Sequence, residues 1–241
     1  MTPSVLAIER CLMFRDSQPF ADRREAGAEL AQRLEKYAGR NDVVVLGLPR
    51  GGVPVGYEVA RRLGAPLDVF LVRKLGVPGH AELAMGAIAS GGVRVLNDDV
   101  VNWYRIPDVV VDEVAREEQV ELERRERAYR ENRDPLDVRS RVVLLVDDGL
   151  ATGSSMKAAV QAVRAREPAR VVVAAPVGAP DTCRALADVA DEVVCARQPE
   201  MFSAVGLWYR DFSQTTDEEV RELLHDARAG AGDKTSLSER R

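Results

Sequence analysis

Val142-Val143-Leu144-Leu145-Val146-Asp147-Asp148-Gly149-Leu150-Ala151-Thr152-Gly153-Ser154-Ser155 decides how the rest of the chain is read. It has three physical parts. Val142 to Val146, all apolar and mostly β-branched, predict a strand buried on both faces. A pair of carboxylates, Asp147 and Asp148, follows at the strand's carboxyl end. A run of small residues and hydroxyls comes next. From Met156 to Arg166 the chain is helical in pattern, with Met156, Ala159, Val160 and Val163 on one face. Such a corner offers two chemistries. Loop amides and a helix N-terminus suit a phosphate. The carboxylates suit hydroxyls or a hydrated divalent cation. The bland alternative is an ordinary strand–turn–helix corner whose Asp pair is a solvated turn. Other phosphate motifs fit worse. A Walker A loop needs Gly-Lys-Ser/Thr, whereas Gly153 is followed by Ser154, and no Gly-x-Gly-x-x-Gly follows a predicted strand.

Upstream, Asp22 is a candidate cap for a helix to about Tyr37, ended by Gly39. Asp42 to Leu48 predicts a second buried strand. It runs into Pro49-Arg50-Gly51-Gly52 and a helix over Val55 to Leu63. Two glycines let the backbone approach an anion, and Arg50 supplies a fork of donors. Pro66 to Val72 predicts a third strand ending in Arg73-Lys74, adjacent cations suited to a polyphosphate. Leu75 to Glu82 is rich in Gly and Pro and reads as a mobile loop, with His80 and Glu82 as its titratable groups. Leu83 to Ala89 and Val93 to Leu96 predict a strand pair around Ser90-Gly91-Gly92. Asn97-Asp98-Asp99 reads as a helix cap.

Asp108 to Asn132 is the longest helical stretch, with Val111, Ala115, Leu122 and Tyr129 as its apolar stripe. Glu121–Arg125, Glu123–Arg127 and Glu126–Arg130 have the favourable i,i+4 order. Glutamates interleave its arginines, which favours a solvated helix, packed on one side at a subunit interface, over an RNA-binding face. Ala169 to Ala175 predicts a strand ended by Pro176. Asp181 to Val189 predicts a helix, and Glu192 to Cys195 a short strand. This alternation implies an α/β fold with an open, mostly parallel twisted sheet and helices on both faces. The segment 199–212 is aromatic and irregular. Thr215-Thr216-Asp217-Glu218 is a candidate cap for a last helix to about Arg228, and 229–241 is expected to be a disordered tail.

A chain of 241 residues can bury one large core. Hydrophobic content of 46% and charged content of 30% are ordinary for a globular protein. A net charge of -5 argues against general nucleic-acid binding. Cys11, Cys183 and Cys195 are scattered, which fits a reducing cytoplasm, and with only His80 and His225 a multi-His metal site is excluded. No signal peptide or membrane span is expected.

Asp147-Asp148 followed by Ala151-Thr152-Gly153-Ser154-Ser155 resembles the 5-phosphoribosyl-1-pyrophosphate (PRPP) signature of the type I phosphoribosyltransferases. Arg50-Gly51-Gly52 looks like that family's pyrophosphate loop, and Arg73-Lys74 like the opening of its flexible catalytic loop. Phe202-x-x-x-Gly206-x-x-Tyr209-Arg210-Asp211-Phe212 resembles the hood of its purine-salvage members. The resemblance implies one domain over 1–228, with a core over about 24–196 and a hood from about 1–21 and 197–214. It implies a reaction in which a nitrogenous base displaces pyrophosphate at C1 of PRPP. In that reading Ala151, Thr152, Gly153, Ser154 and Ser155 hold the 5-phosphate. Asp147 and Asp148 hold the ribose hydroxyls and offset positive charge on the sugar. Arg50, Gly51, Gly52, Arg73 and Lys74 bind pyrophosphate. Magnesium comes with the substrate phosphates, with Asp147 and Asp148 as possible further ligands. Phe202, Trp208 or Tyr209 would stack on the base, and Glu82 is the candidate general base. A cytoplasmic homo-oligomer, a dimer, is the expected form. Hypoxanthine- and guanine-type members carry Asp where this chain has Ala151, so the acceptor stays unassigned. Two other functions stay open: a PRPP- or nucleotide-sensing regulator on the same fold, and a metal-assisted hydrolase built on Asp147 and Asp148, which lacks further ligands.

Overall fold

The computed structural model describes residues 18–238. In chain order its elements are α1 (Arg23–Arg33), β1 (Val43–Gly47), α2 (Gly52–Leu63), β2 (Leu67–Val69), β3 (Val72–Val77), β4 (His80–Ala89), β5 (Val93–Leu96), α3 (Asp98–Trp103) and α4 (Asp108–Arg130). There follow β6 (Val142–Val146), α5 (Ser154–Arg164), β7 (Arg170–Val177), α6 (Pro180–Ala187), β8 (Glu192–Arg197) and α7 (Asp217–Ser238). Five strands pair in parallel in the order β2-β1-β6-β7-β8, and β3-β4-β5 form a separate antiparallel sheet.

The central strands are buried on both faces, as their unbroken apolar runs require. Alternate side chains point to opposite faces. Val43 and Val45, with Leu144 and Val146, join Leu30, Leu34, Val59, Leu122 and Leu224 in one core. Val44 and Leu46, with Val143 and Leu145, join Met156, Val160, Val163 and Leu186 in the other. Helices therefore cover both faces. From β1 the chain moves outward to β2, and it later returns to place β6 on the other side of β1. Their shared border is the topological switch point, where the loops leaving two adjacent carboxyl ends diverge and leave a crevice.

Four expectations are corrected by the structure. The strand predicted over Pro66 to Val72 breaks at Phe70-Leu71, so Arg73 and Lys74 lie inside β3 and not at a strand end. The segment 75–82, read as a mobile loop, is mostly hairpin. Leu75 and Val77 are buried in β3, and the Pro and Gly form a turn between the strands, with Gly79 at φ 79°. Pro176 does not end β7, because it falls past the last β6 pairing, Val146 with Ala174, where a missing N–H costs no ladder bond on that side. The last helix continues beyond Arg228 to Ser238, with no proline in the stretch to stop it. Of the expected hood and tail, residues 1–17 and 239–241 lie outside the described residues. Among the described residues, no helix is long and apolar enough to cross a membrane.

Candidate active site

The loop after β1 packs directly on the acidic pair after β6. A Cβ on Gly51 would lie 1.9 Å from Asp148 Oδ2, and one on Gly52 would lie 2.5 Å from the Val146 carbonyl and 2.9 Å from Asp147 Cα. Glycine is needed here for close approach, since Gly51 has an ordinary φ of -61°. The Pro49–Arg50 peptide is cis.

Each carboxylate has one oxygen committed. Asp147 Oδ1 accepts from the Asp148 N–H at 2.9 Å, and Asp148 Oδ2 accepts from Arg23 Nε at 2.8 Å. Asp147 Oδ2 and Asp148 Oδ1 have no hydrogen-bond donor among the described residues. Burial, then the Asp148 charge, pushes the Asp147 carboxyl well above the usual carboxylate range. Burial also raises Asp148, with the Arg23 guanidinium pulling the other way.

The 150–155 loop sits on the end of β7. Leu150 exchanges backbone bonds with Val177 and Ala179, each 2.9 Å long. The Thr182 hydroxyl of α6 donates to the Ala151 carbonyl. Gly153 takes φ 69°, and a Cβ there would meet Thr182 Cγ2 at 2.6 Å. Gly153 is also the N-cap of α5 and brings no side-chain acceptor to its first amides. Thr152, Ser154 and Ser155 are exposed, with the Thr152 and Ser154 hydroxyls 3.3 Å apart.

The other sequence-derived residues are spread more widely. Arg50 extends toward the start of α7, with Nη1 3.8 Å from Asp217 Oδ1. Arg73 is ion-paired with Glu118 of α4. Neighbouring strand residues face opposite ways. Lys74 accordingly lines a cavity of about 740 Å³ together with Asp98, Asp99, Ser154, Ser155 and Lys157. Glu82 lies in β4, and its side chain is outside the described residues.

In the segments expected to form the hood, Phe20 and Tyr209 are buried together, and Phe202 and Trp208 pack against them half-buried. Residues 20–21 bond to the backbone of 208–211. The Tyr209 ring contacts Phe20 at 5.5 Å and Phe212 at 5.1 Å, and its hydroxyl donates to the Asp148 carbonyl at 2.6 Å. A Cβ on Gly149 would meet Val205 Cγ1 at 2.5 Å, so the segment around Val205 rests on the acidic loop.

Sequence reasoning missed Arg23, Thr182 and Val205. Asp22 signals the cap, and it accepts from Arg24 N and Glu25 N. Nothing local tells where Arg23, one residue on, will reach.

The parallel sheet with this crevice at its switch point is the fold of the type I phosphoribosyltransferases, and residues 21–208 match the family described as "Phosphoribosyl transferase domain". The chain belongs to that family. Two Mycobacterium tuberculosis strains, CDC 1551 and H37Rv, carry a similar protein named "Putative phosphoribosyl transferase". It is 52% identical over 205 residues, which cover 85% of this chain and 46% of that protein. The chain thus spans about half the length of the curated relatives it matches. The crystal structure of TT1426 from Thermus thermophilus superposes with a TM-score of 0.78 at 45% identity, covering 87% of this chain and 99% of that one.

Proposed function

We propose that this chain transfers the 5-phosphoribosyl group of PRPP to a nitrogenous base and releases pyrophosphate. The observation that supports it most is the pair of open oxygens, Asp147 Oδ2 and Asp148 Oδ1, at the crevice between β1 and β6. One open oxygen on each carboxylate answers the two vicinal hydroxyls of a ribose. The N-terminal amides of α5, of which Ser154 N donates to the Thr152 hydroxyl at 3.5 Å, and the hydroxyls of Thr152, Ser154 and Ser155 answer the 5-phosphate. The close approach of the Arg50-Gly51-Gly52 backbone to the same carboxylates supports it as the contact for the pyrophosphate on C1.

In the reaction the bond from C1 to the pyrophosphate oxygen breaks, and a bond from C1 to a base nitrogen forms. Positive charge gathers on the sugar as the leaving group departs, and Asp147 and Asp148 lie beside it. Lys74 lines the same cavity as Ser154 and Ser155, which supports it as a phosphate contact.

The residues fit a magnesium ion carried by substrate. Among the described residues, no group of at least three His, Cys, Asp or Glu side chains is placed to hold a cation alone. Asp147 and Asp148 would complete its shell, and the ion would neutralise charge on the pyrophosphate.

The test is to incubate the chain with PRPP, magnesium and a panel of bases, scoring pyrophosphate release and nucleotide formation. Turnover with at least one base is expected, and Asp147→Asn with Asp148→Asn should lower it by roughly 100-fold or more. Saturable PRPP binding with no turnover would replace a transferase by a PRPP sensor. Absence of PRPP binding would sink both readings.

A further inference from the structure

Arg23 is the cation that the acidic pair already has. Its Nε donates to Asp148 Oδ2 at 2.8 Å, and a Cβ on Gly51 would lie 3.1 Å from the same Nε, so the guanidinium sits where the two loops meet. It is held from further sides. Nη1 donates to the Ser213 carbonyl at 2.7 Å, and Cζ lies 4.1 Å from the Phe212 ring centroid. Only 12% of the side chain is exposed, against 16% for Asp148. The residue itself is fixed at the first turn of α1, behind the Asp22 cap.

We propose that Arg23 is a resident counter-cation that keeps a divalent metal off Asp147 and Asp148 until PRPP brings the ion in with its own oxygens. Two carboxylates this close, without Arg23, would be a fair partial site for a hard cation. With Arg23 the pair carries one net negative charge fewer, and a metal on Asp148 would lie within a few ångströms of a fixed positive charge. At that range repulsion is large in a partly buried site. Arginine suits the role, since its planar fork bonds Asp148 and Ser213 while its face lies on Phe212. Bound substrate changes the balance, because its phosphates add negative charge and ligand oxygens.

Part of this rests on the PRPP reading, which supplies the ligand that brings the ion. The metal titration itself needs no PRPP. Manganese(II) uptake by the ligand-free full chain would be followed at pH 8 from the EPR signal of free ion, for wild type, Arg23→Gln, Arg23→Lys and Arg23→Gln with Asp148→Asn, with melting curves to check folding. Wild type should take up no stoichiometric ion in the range where Arg23→Gln binds one, roughly 10- to 100-fold more tightly. Arg23→Lys, which keeps the charge, should behave as wild type, and Asp148→Asn should remove the gain. A purely structural Arg23 would lower the melting temperature without this charge-dependent pattern. Folded Arg23→Gln that binds manganese no better than wild type overturns the proposal. So does stoichiometric micromolar binding by wild type alone, a result that stands even if Arg23→Gln fails to fold. Addition of PRPP to wild type should then bring manganese onto the protein. If PRPP itself does not bind, the transferase reading falls while the Arg23 comparison stays readable.

Discussion

Burial and the neighbouring Asp148 charge raise the Asp147 carboxyl, so the ligand-free site works against its own ionisation. A carboxyl raised in the folded state adds stability below its unfolded pKa and loses it as pH rises through the folded value. At neutral pH Asp147 therefore costs stability. Asp147→Asn, which mimics the protonated form, should raise Tm at pH 7 by about 2–4 °C, corresponding to about 1 kcal/mol in a domain of this size. The gain should shrink toward zero below about pH 4. Melts across pH check this, and a variant that melts lower than wild type at pH 7 contradicts it. Gly51→Ala is the opposite case. Its Cβ would land 1.9 Å from Asp148 Oδ2 and 2.6 Å from Cγ, so the carboxylate must leave its place. PRPP affinity should fall roughly 100-fold or more, about 3 kcal/mol, with the sheet intact. Calorimetry with circular dichroism separates the two effects.

Among the elements, the β6–loop–α5 corner was legible because its signals are local: an apolar run, an acidic pair, Gly153 and a helical stripe. The β3–β4 hairpin was not. Pro78-Gly79 is one turn, but the glycines and proline together hid the buried alternation of Leu75 and Val77. Long-range partners were illegible for a different reason. Arg23 and Asp148 are 125 residues apart, and only the packing of α1 beside the crevice brings them together. Even α4 followed its pattern in part. Glu121–Arg125 and Glu126–Arg130 are ion-paired, while Glu123 accepts from Gln119. The same helix is linked to α7 by Tyr129, whose hydroxyl donates to Asp217 at 2.6 Å. Burial, then this bond, raises the Tyr129 phenol from 10.0 to about 12. A raised group gives stability that is full below its unfolded pKa and lost as pH climbs through the folded one. The stability advantage of wild type over Tyr129→Phe should therefore decline between about pH 10 and pH 12. Urea melts in that window test it, and a constant difference contradicts it.

Over the whole molecule, one buried ion pair ties the sheet's β2 edge to the end of α4. Arg130 Nε lies 3.0 Å from both Asp68 oxygens, Arg130 Nη2 donates to the Val69 carbonyl at 2.8 Å, and Leu136 N donates to Asp68. Asp68→Ala would leave the guanidinium buried with a main partner gone, and should cost about 3–5 kcal/mol in urea unfolding. A loss under about 1 kcal/mol would mean that Glu126 carries the charge alone. On this scaffold the β1 and β6 loops and the segment holding Val205 and Tyr209 meet at Asp147 and Asp148. That meeting place is the proposed PRPP site. Calorimetric titration of the full chain with PRPP and magnesium tests it most directly. Saturable binding at one site per chain is expected, lost in Asp147→Asn with Asp148→Asn while that variant stays folded. Absence of binding in wild type, or equal binding in the double variant, would contradict it.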